Sequence, residues 1–185
     1  MILEYLTYFA QFPSKKAVND LFSNGRSKLP EYAELKKQIK ELPDSVIPDI
    51  TGYVFGQRFE DVKKRVDSLT GTYLFCDFGE ISSSQNNIGS ITDSHVRAVT
   101  VAAKISDSSD MVEVAIYSNR TLYMLNLIRA HMIKDARTHS WLKPITERQT
   151  IVPFVAPELQ SLGWTMKFTA SASDWLNVKN LISTI

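Results

Sequence analysis

The chain is short of the residues on which most enzymatic and metal chemistry is built: among its 185 residues are one cysteine, three histidines and seven glycines. Cys76 alone cannot close an intramolecular disulfide, and its place in the apolar run TYLFC marks it as a small buried hydrophobe in a chain kept in a reducing compartment. His95, His131 and His139 lack the dense His/Cys spacing of a zinc site. The scattered glycines build no phosphate-cradling loop and no dinucleotide fingerprint, and no Gly-x-Ser-x-Gly elbow is present for acyl transfer. No cofactor is expected. Charge of one sign is also missing. The 21 basic and 20 acidic residues leave a formal charge of +1, and no five like charges follow one another. A protein that tracks phosphates carries a basic surplus or stripe, so nucleic acid is not an expected partner. Lys36, Lys37, Lys40, Lys63, Lys64 and Arg65 read as solvated helix faces. No apolar run is long enough for a bilayer. MILEYLTYFAQF is about a dozen residues, against roughly 20 for a span, has no basic lead and carries Glu4. It is expected to be a packing or docking helix, and no membrane partner is expected.

What is present is an ordinary globular composition, 44% apolar and 22% charged. The length suits one hydrophobic core with an appended N-terminal segment. The period of the apolar residues divides the chain into a helical segment over 1–70 and an α+β domain over 71–185, read as one continuous core. Pro30 followed by Leu35, Ile39 and Leu42 predicts one helix; Phe59, Val62, Val66 and Leu69 predict another over 57–69. Between them PDSVIPDITGYVFG, with two prolines and two glycines, reads as an extended connection or loop.

From Gly71 the period is that of strands. TYLFCDFGEI alternates about one strongly apolar face, and SHVRAVTVAAKIS sets Arg97, Val99, Val101, Ala103 and Ile105 on one side, with the last four facing the core. The polar tract SSSQNNIGSITDS between them predicts a long hairpin arm or a mobile loop. Candidate caps at Ser106–Asp110 precede a long helix over roughly 119–135, while 111–117 fits either helix or strand. RQTIVPFVA and LGWTMKFTAS predict a closing pair of strands, Pro153 and Pro157 arguing for an edge or a bend, and DWLNVKNLIST a terminal helix with Asp174 as its cap. The expected fold is α+β: a mainly antiparallel sheet of about four strands packed on one long helix, with a helical N-terminal segment.

The tripeptide Asp77-Phe78-Gly79 places aspartate on magnesium in protein kinases, but the glycine-rich loop, strand lysine and catalytic loop of that machinery are absent. Here Phe78 packs and Gly79 permits a bulge or bend. A restriction-type nuclease needs Glu-x-Lys one strand later, and the chain offers Ala102-Ala103-Lys104. His131 and Asp135, four apart on the long helix, form a ligand pair, an acid/base pair or an ordinary surface hydrogen bond, the last being the favoured reading. Trp141, Trp164 and Trp175 read as core or interface anchors.

The element order carried by YLFCDFGEIS, RAVTVAAKIS, LYMLNLIRAHMIKD and LGWTMKFTAS, about residues 72–170, resembles the tail-terminator and neck proteins of long-tailed bacteriophages. The resemblance implies a small non-enzymatic subunit of a phage or prophage-like element, self-associating into a ring, with other tail or neck proteins as partners and the bacterial cytoplasm or virion as its place. It carries over no functional residue. On that picture the arm, through Ser83, Gln85, Asn86, Asn87 and Ile88, and the N-terminal helix, through Leu3, Tyr5 and Phe9, would make the oligomer, or the helix would fold back over the sheet. Two other readings stay open: a bacterial protein-binding or scaffold domain, and a divalent-metal enzyme using Asp77, Glu80, His131 or Asp135.

Overall fold

The computed structural model describes residues 2–23, 25, 27–57, 59–85, 87, 89–107, 109–139, 141, 142, 145 and 149–173, with the side chains of 59–61 and 170–173 excepted. Three helices open the chain: α1 (Ile2–Phe9), α2 (Lys15–Asn19) and α3 (Pro30–Lys40). They lead to strand β1 (Ile50–Gly56), helix α4 (Phe59–Asp67) and the paired strands β2 (Thr72–Gln85) and β3 (Ile91–Lys104). Helix α5 (Met111–Asp135) and strands β4 (Gln149–Ala156) and β5 (Ser161–Ser173) follow. The expected terminal helix around Trp175, Val178 and Leu181 lies outside the described residues.

The fold is α+β, but the sheet is mixed and has five strands in the order β1-β2-β3-β5-β4. The additional strand is β1, which pairs parallel to β2 where a loop was expected. Both prolines of PDSVIPDITGYVFG precede the strand, and its glycines serve a close approach. A Cβ on Gly56 would lie 2.3 Å from Val62 Cγ1, so α4 can press onto the strand only because nothing is there. With α4 as the crossover, the β1–α4–β2 unit satisfies the rule that parallel neighbours need a long connection. Val66 is buried beneath that helix, and Val62 and Leu69 pack beside it.

The 111–117 segment is helix. Asp110 accepts hydrogen bonds from the backbone N–H groups of Val112 and Glu113 at 2.9 and 3.1 Å, and Glu113 accepts from Ser106 and Asp107, tying the preceding loop to the first turn. The helix buries Thr121, Leu125, Ile128 and Met132, at spacings of four, three and four, against the sheet. Strand β4 is an edge strand, as Pro153 requires.

One face of the sheet is covered by α5 and by α1, whose aromatic residues Tyr5, Tyr8 and Phe9 are buried in the core. Tyr5, Phe9 and Phe12 are 0% exposed, and Tyr5 meets Phe9 edge-on at 4.7 Å between ring centroids. The Tyr5 hydroxyl donates to Ala98 O at 3.1 Å and that of Tyr53 to Leu6 O at 2.8 Å, so these two buried phenols are satisfied. The N-terminal helix therefore folds back over the sheet of its own chain. Tyr5 and Phe9, expected also as contacts to a second subunit, are unavailable to one because the core already encloses them.

Phe9→Ala should lower the unfolding free energy by about 3–5 kcal/mol, while Leu3→Ala, at a residue 52% exposed, should change it by less than about 1 kcal/mol. Urea denaturation with a common slope checks both; equal losses would remove α1 from the core.

Candidate interaction site

Strands β2 and β3 pair from Thr72↔Ala103 out to Gln85↔Ile91, interrupted once between Asp77 and Glu80. The interruption is a bulge centred on Gly79, whose φ is +55°. Asp77 Oδ1 accepts from Gly79 N at 2.7 Å, and a Cβ on Gly79 would sit 2.0 Å from Val96 O. The kinase-like tripeptide is thus a turn device: the aspartate holds the backbone that the glycine allows. Beyond the bulge every described residue of β2 from Glu80 to Gln85 is exposed. At about 3.4 Å per residue those six residues project roughly 20 Å. The tract SSSQNNIGSITDS is a hairpin arm rather than a mobile loop, with strand pairing up to Gln85 and from Ile91.

Alternation places Asp93, His95 and Arg97 on the face that carries Val99 and Val101 deeper in. All three polar residues are 1% exposed. Ser83 Oγ donates to Asp93 Oδ1. Arg97 Nε donates to His95 Nδ1 at 3.1 Å. A guanidinium nitrogen can only donate, so Nδ1 of His95 is the acceptor and Nε2 carries the proton, donating to Phe78 O across the bulge. The Arg97 guanidinium lies 4.9 Å from the ring centre of Tyr5 and 4.8 Å from that of Trp141, a cation held between two aromatic faces. Burial pulls the pKa of Arg97 below its usual value, an effect opposed by Tyr5 and Glu4. Burial likewise pushes the Cys76 thiol up and the Tyr5 hydroxyl well above the usual phenol range, so neither offers an anion.

No family model matches the chain, and no curated protein or solved structure is significantly similar to it. The reading of the site therefore rests on its own geometry.

Of the residues expected to make the oligomer, the structure brings Ser83, Gln85 and Asn87 together on the exposed distal arm; Gln85 Nε2 reaches back to Gly89 O at 3.4 Å. Asn86 and Ile88 lie outside the described residues. Leu3 is exposed on α1, away from the arm, and Tyr5 and Phe9 are internal. The four residues of the metal-enzyme reading do not converge. Asp77 and Glu80 line a cleft of about 710 Å³ beside the bulge, whereas Asp135 lines a different groove and accepts from the Tyr8 hydroxyl at 3.0 Å. His131 packs edge-on to Phe12 at 5.8 Å. Among the described residues no three His, Cys, Asp or Glu side chains are grouped to hold a metal, and no helix is long and apolar enough to cross a membrane.

The arrangement anchors the arm. Both ring nitrogens of His95 are engaged by its own chain, so it can take up a proton only by giving up the bond from Arg97. Burial, and the neighbouring Arg97, hold its pKa below the ordinary 6.5, the bond to Phe78 O opposing them. The folded chain then binds fewer protons than the unfolded one just below that value. His95 thus contributes stability that is complete above about pH 6.5, its ordinary value, and is lost progressively as pH falls from there through its lowered value in the folded chain. The urea midpoint of the wild-type chain should fall more steeply between pH 7.5 and pH 5 than that of His95→Gln, which keeps a donor and an acceptor but cannot titrate. Parallel declines would show that His95 is not linked to folding.

Proposed function

We propose that this chain is a non-enzymatic assembly subunit that joins copies of itself through its arm, in the manner of the phage tail and neck proteins whose element order it resembles. The observation that carries the reading is the pair of open strand edges. β1 accompanies β2 only as far as Gly56↔Asp77, and β4 accompanies β5 only as far as Gln149↔Phe168. Past those points β2 runs on to Gln85 and β5 to Ser173, with β3 between them. Among the described residues, the distal arm is therefore three strands wide with no partner on either side.

Such edges are normally guarded by charge, proline or a covering element. The outer strand β4 has Pro153. The exposed stretch of β2 has only Glu80 and is otherwise IleSerSerSerGln, a segment suited to accept another strand. Because the two free edges differ, the edge of β2 in one copy can meet that of β5 in the next. This heterologous contact propagates and, with suitable rotation, closes into a ring. The energetics favour closure over a dimer. About six main-chain hydrogen bonds at roughly 0.5–1.5 kcal/mol each total about 3–9 kcal/mol, no more than the roughly 4–15 kcal/mol cost of bringing two bodies together, so one contact is weak and a closed set is stable.

Two variants test this. One replaces residues 84–92 by Asn-Gly, closing the hairpin at Ser83↔Asp93 with a two-residue turn; the other adds Ser82→Lys to guard the remaining edge. Light scattering over a concentration series should give the wild-type chain a mass several times its 20.9 kDa and the double change a monomer with an unaltered far-ultraviolet spectrum. A wild-type chain monomeric at every concentration, or variants that assemble equally well, would end the proposal.

A further inference from the structure

A second surface lies on the far side of α1. Between α1, α3 and the C-terminal end of α5 runs a groove of about 1030 Å³. Leu3, Tyr8, Leu35 and Leu42 supply its apolar surface, and Glu4, Glu31, Glu34 and Asp135 stand on it as four carboxylates. No lysine or arginine among the described residues lines it. This is not the composition of the chain as a whole, whose basic and acidic residues number 21 and 20. The asymmetry arises on α3. Glu31, Glu34 and Gln38, spaced three and four apart, fall on the groove side with Leu35, while Lys36, Lys37 and Lys40 line a separate hollow. Of that helix only Ile39 is fully buried; Glu31, Glu34 and Gln38 are exposed on the groove side, and Leu35 is half-buried against the core.

We propose that this groove docks a basic amphipathic helix of a partner protein, its apolar side chains against Leu3, Leu35 and Leu42 and its lysines or arginines against the four carboxylates. Charge complementarity selects the occupant. Four carboxylates repel a phosphate backbone or an anionic membrane surface, and they favour a cationic peptide over a neutral or acidic one. The length fits as well. The 11 residues of α3 span about 16 Å, room for a partner helix of about three turns presenting anchors at i, i+4 and i+7. A second copy of this chain is the less suited occupant: its basic helix α4, with Lys63, Lys64 and Arg65, already turns Val62 and Val66 onto its own sheet. The exposed apolar stretch of α5, with Met111 84% and Val112 68% exposed, carries Glu113, and the lysine face of α3 lacks large apolar anchors. The inference does not rest on self-association through the arm.

The probe is a fluorescein-labelled 14-residue helical peptide of leucine and lysine, with leucines at positions 3, 7 and 10, titrated with the full chain by fluorescence anisotropy. Its controls are the same peptide with glutamate for lysine and an isomer with the leucines dispersed around the helix. The lysine peptide should bind in the micromolar range, more weakly as salt rises, and the controls should not. Glu31→Lys with Glu34→Lys should weaken binding about tenfold, and Leu35→Ser should weaken it at unchanged salt dependence. The exposed pair Lys63→Glu with Lys64→Glu, remote from the groove, should leave it unchanged. Absence of binding, equal binding of the glutamate peptide, or indifference to the groove substitutions would overturn the proposal. So would a fall in the oligomeric mass of the chain caused by the groove substitutions alone, since the occupant would then be a second copy.

Discussion

Everything at the arm depends on how the chain buries the charge of Arg97. Strand β3 runs inward from a polar tip to an apolar core, and Arg97 is the last charged residue before Val99. A lone guanidinium in that position would be expensive. It is accommodated by the faces of Tyr5 and Trp141, each within 5 Å, and by the nitrogen of His95. Those contacts make demands of their own. Tyr5 has to lie on the sheet, which brings α1 over β2 and β3. His95 has to stay neutral, which fixes its proton on the nitrogen facing Phe78, and Phe78 O is turned toward it at the bulge that Gly79 permits. One buried cation thereby relates the first helix, the bulge and the root of the arm.

Much of this organisation is legible in the residues. The alternation of SHVRAVTVAAKIS places Arg97 on the same side as the core valines, and the polar tract before it reads as a hairpin arm or a mobile loop because it joins two strands. The bulge at Gly79 follows from a glycine in an otherwise regular strand. What the residues conceal is equally physical. β1 is hidden because its glycines, which in isolation signal a loop, are there to admit α4. The segment 111–117 is ambiguous because Val112, Val114 and Ile116 alternate; the decision for helix comes from the capping bonds of Asp110 and the return contacts of Glu113, which a periodicity count does not weigh. His95, read only for metal-ligand spacing, gives no signal; the spacing Asp93-x-His95-x-Arg97 set against Val99 and Val101 is the available sign of a buried polar row. The apolar N-terminal dozen residues suit a core helix and a docking helix equally, and only its partner surface separates the two: the sheet of the same chain has room for Tyr5 and Phe9.

The two surfaces lie on opposite sides of α1. Tyr5 and Phe9 face the sheet and secure the root of the arm, while Leu3, Glu4 and Tyr8 face the groove. A helix with Tyr5 and Phe9 enclosed in the core and a hydroxyl bonded to the β3 backbone has little freedom to shift, because close-packed interiors resist displacement. Coupling between sites requires an element with two arrangements of similar free energy. α1 as packed offers one, so a ligand in the groove and a neighbour on the arm are expected to bind additively. That rigidity would suit the assembly subunit proposed above, in which contacts between copies would stay unchanged when a further protein binds the groove.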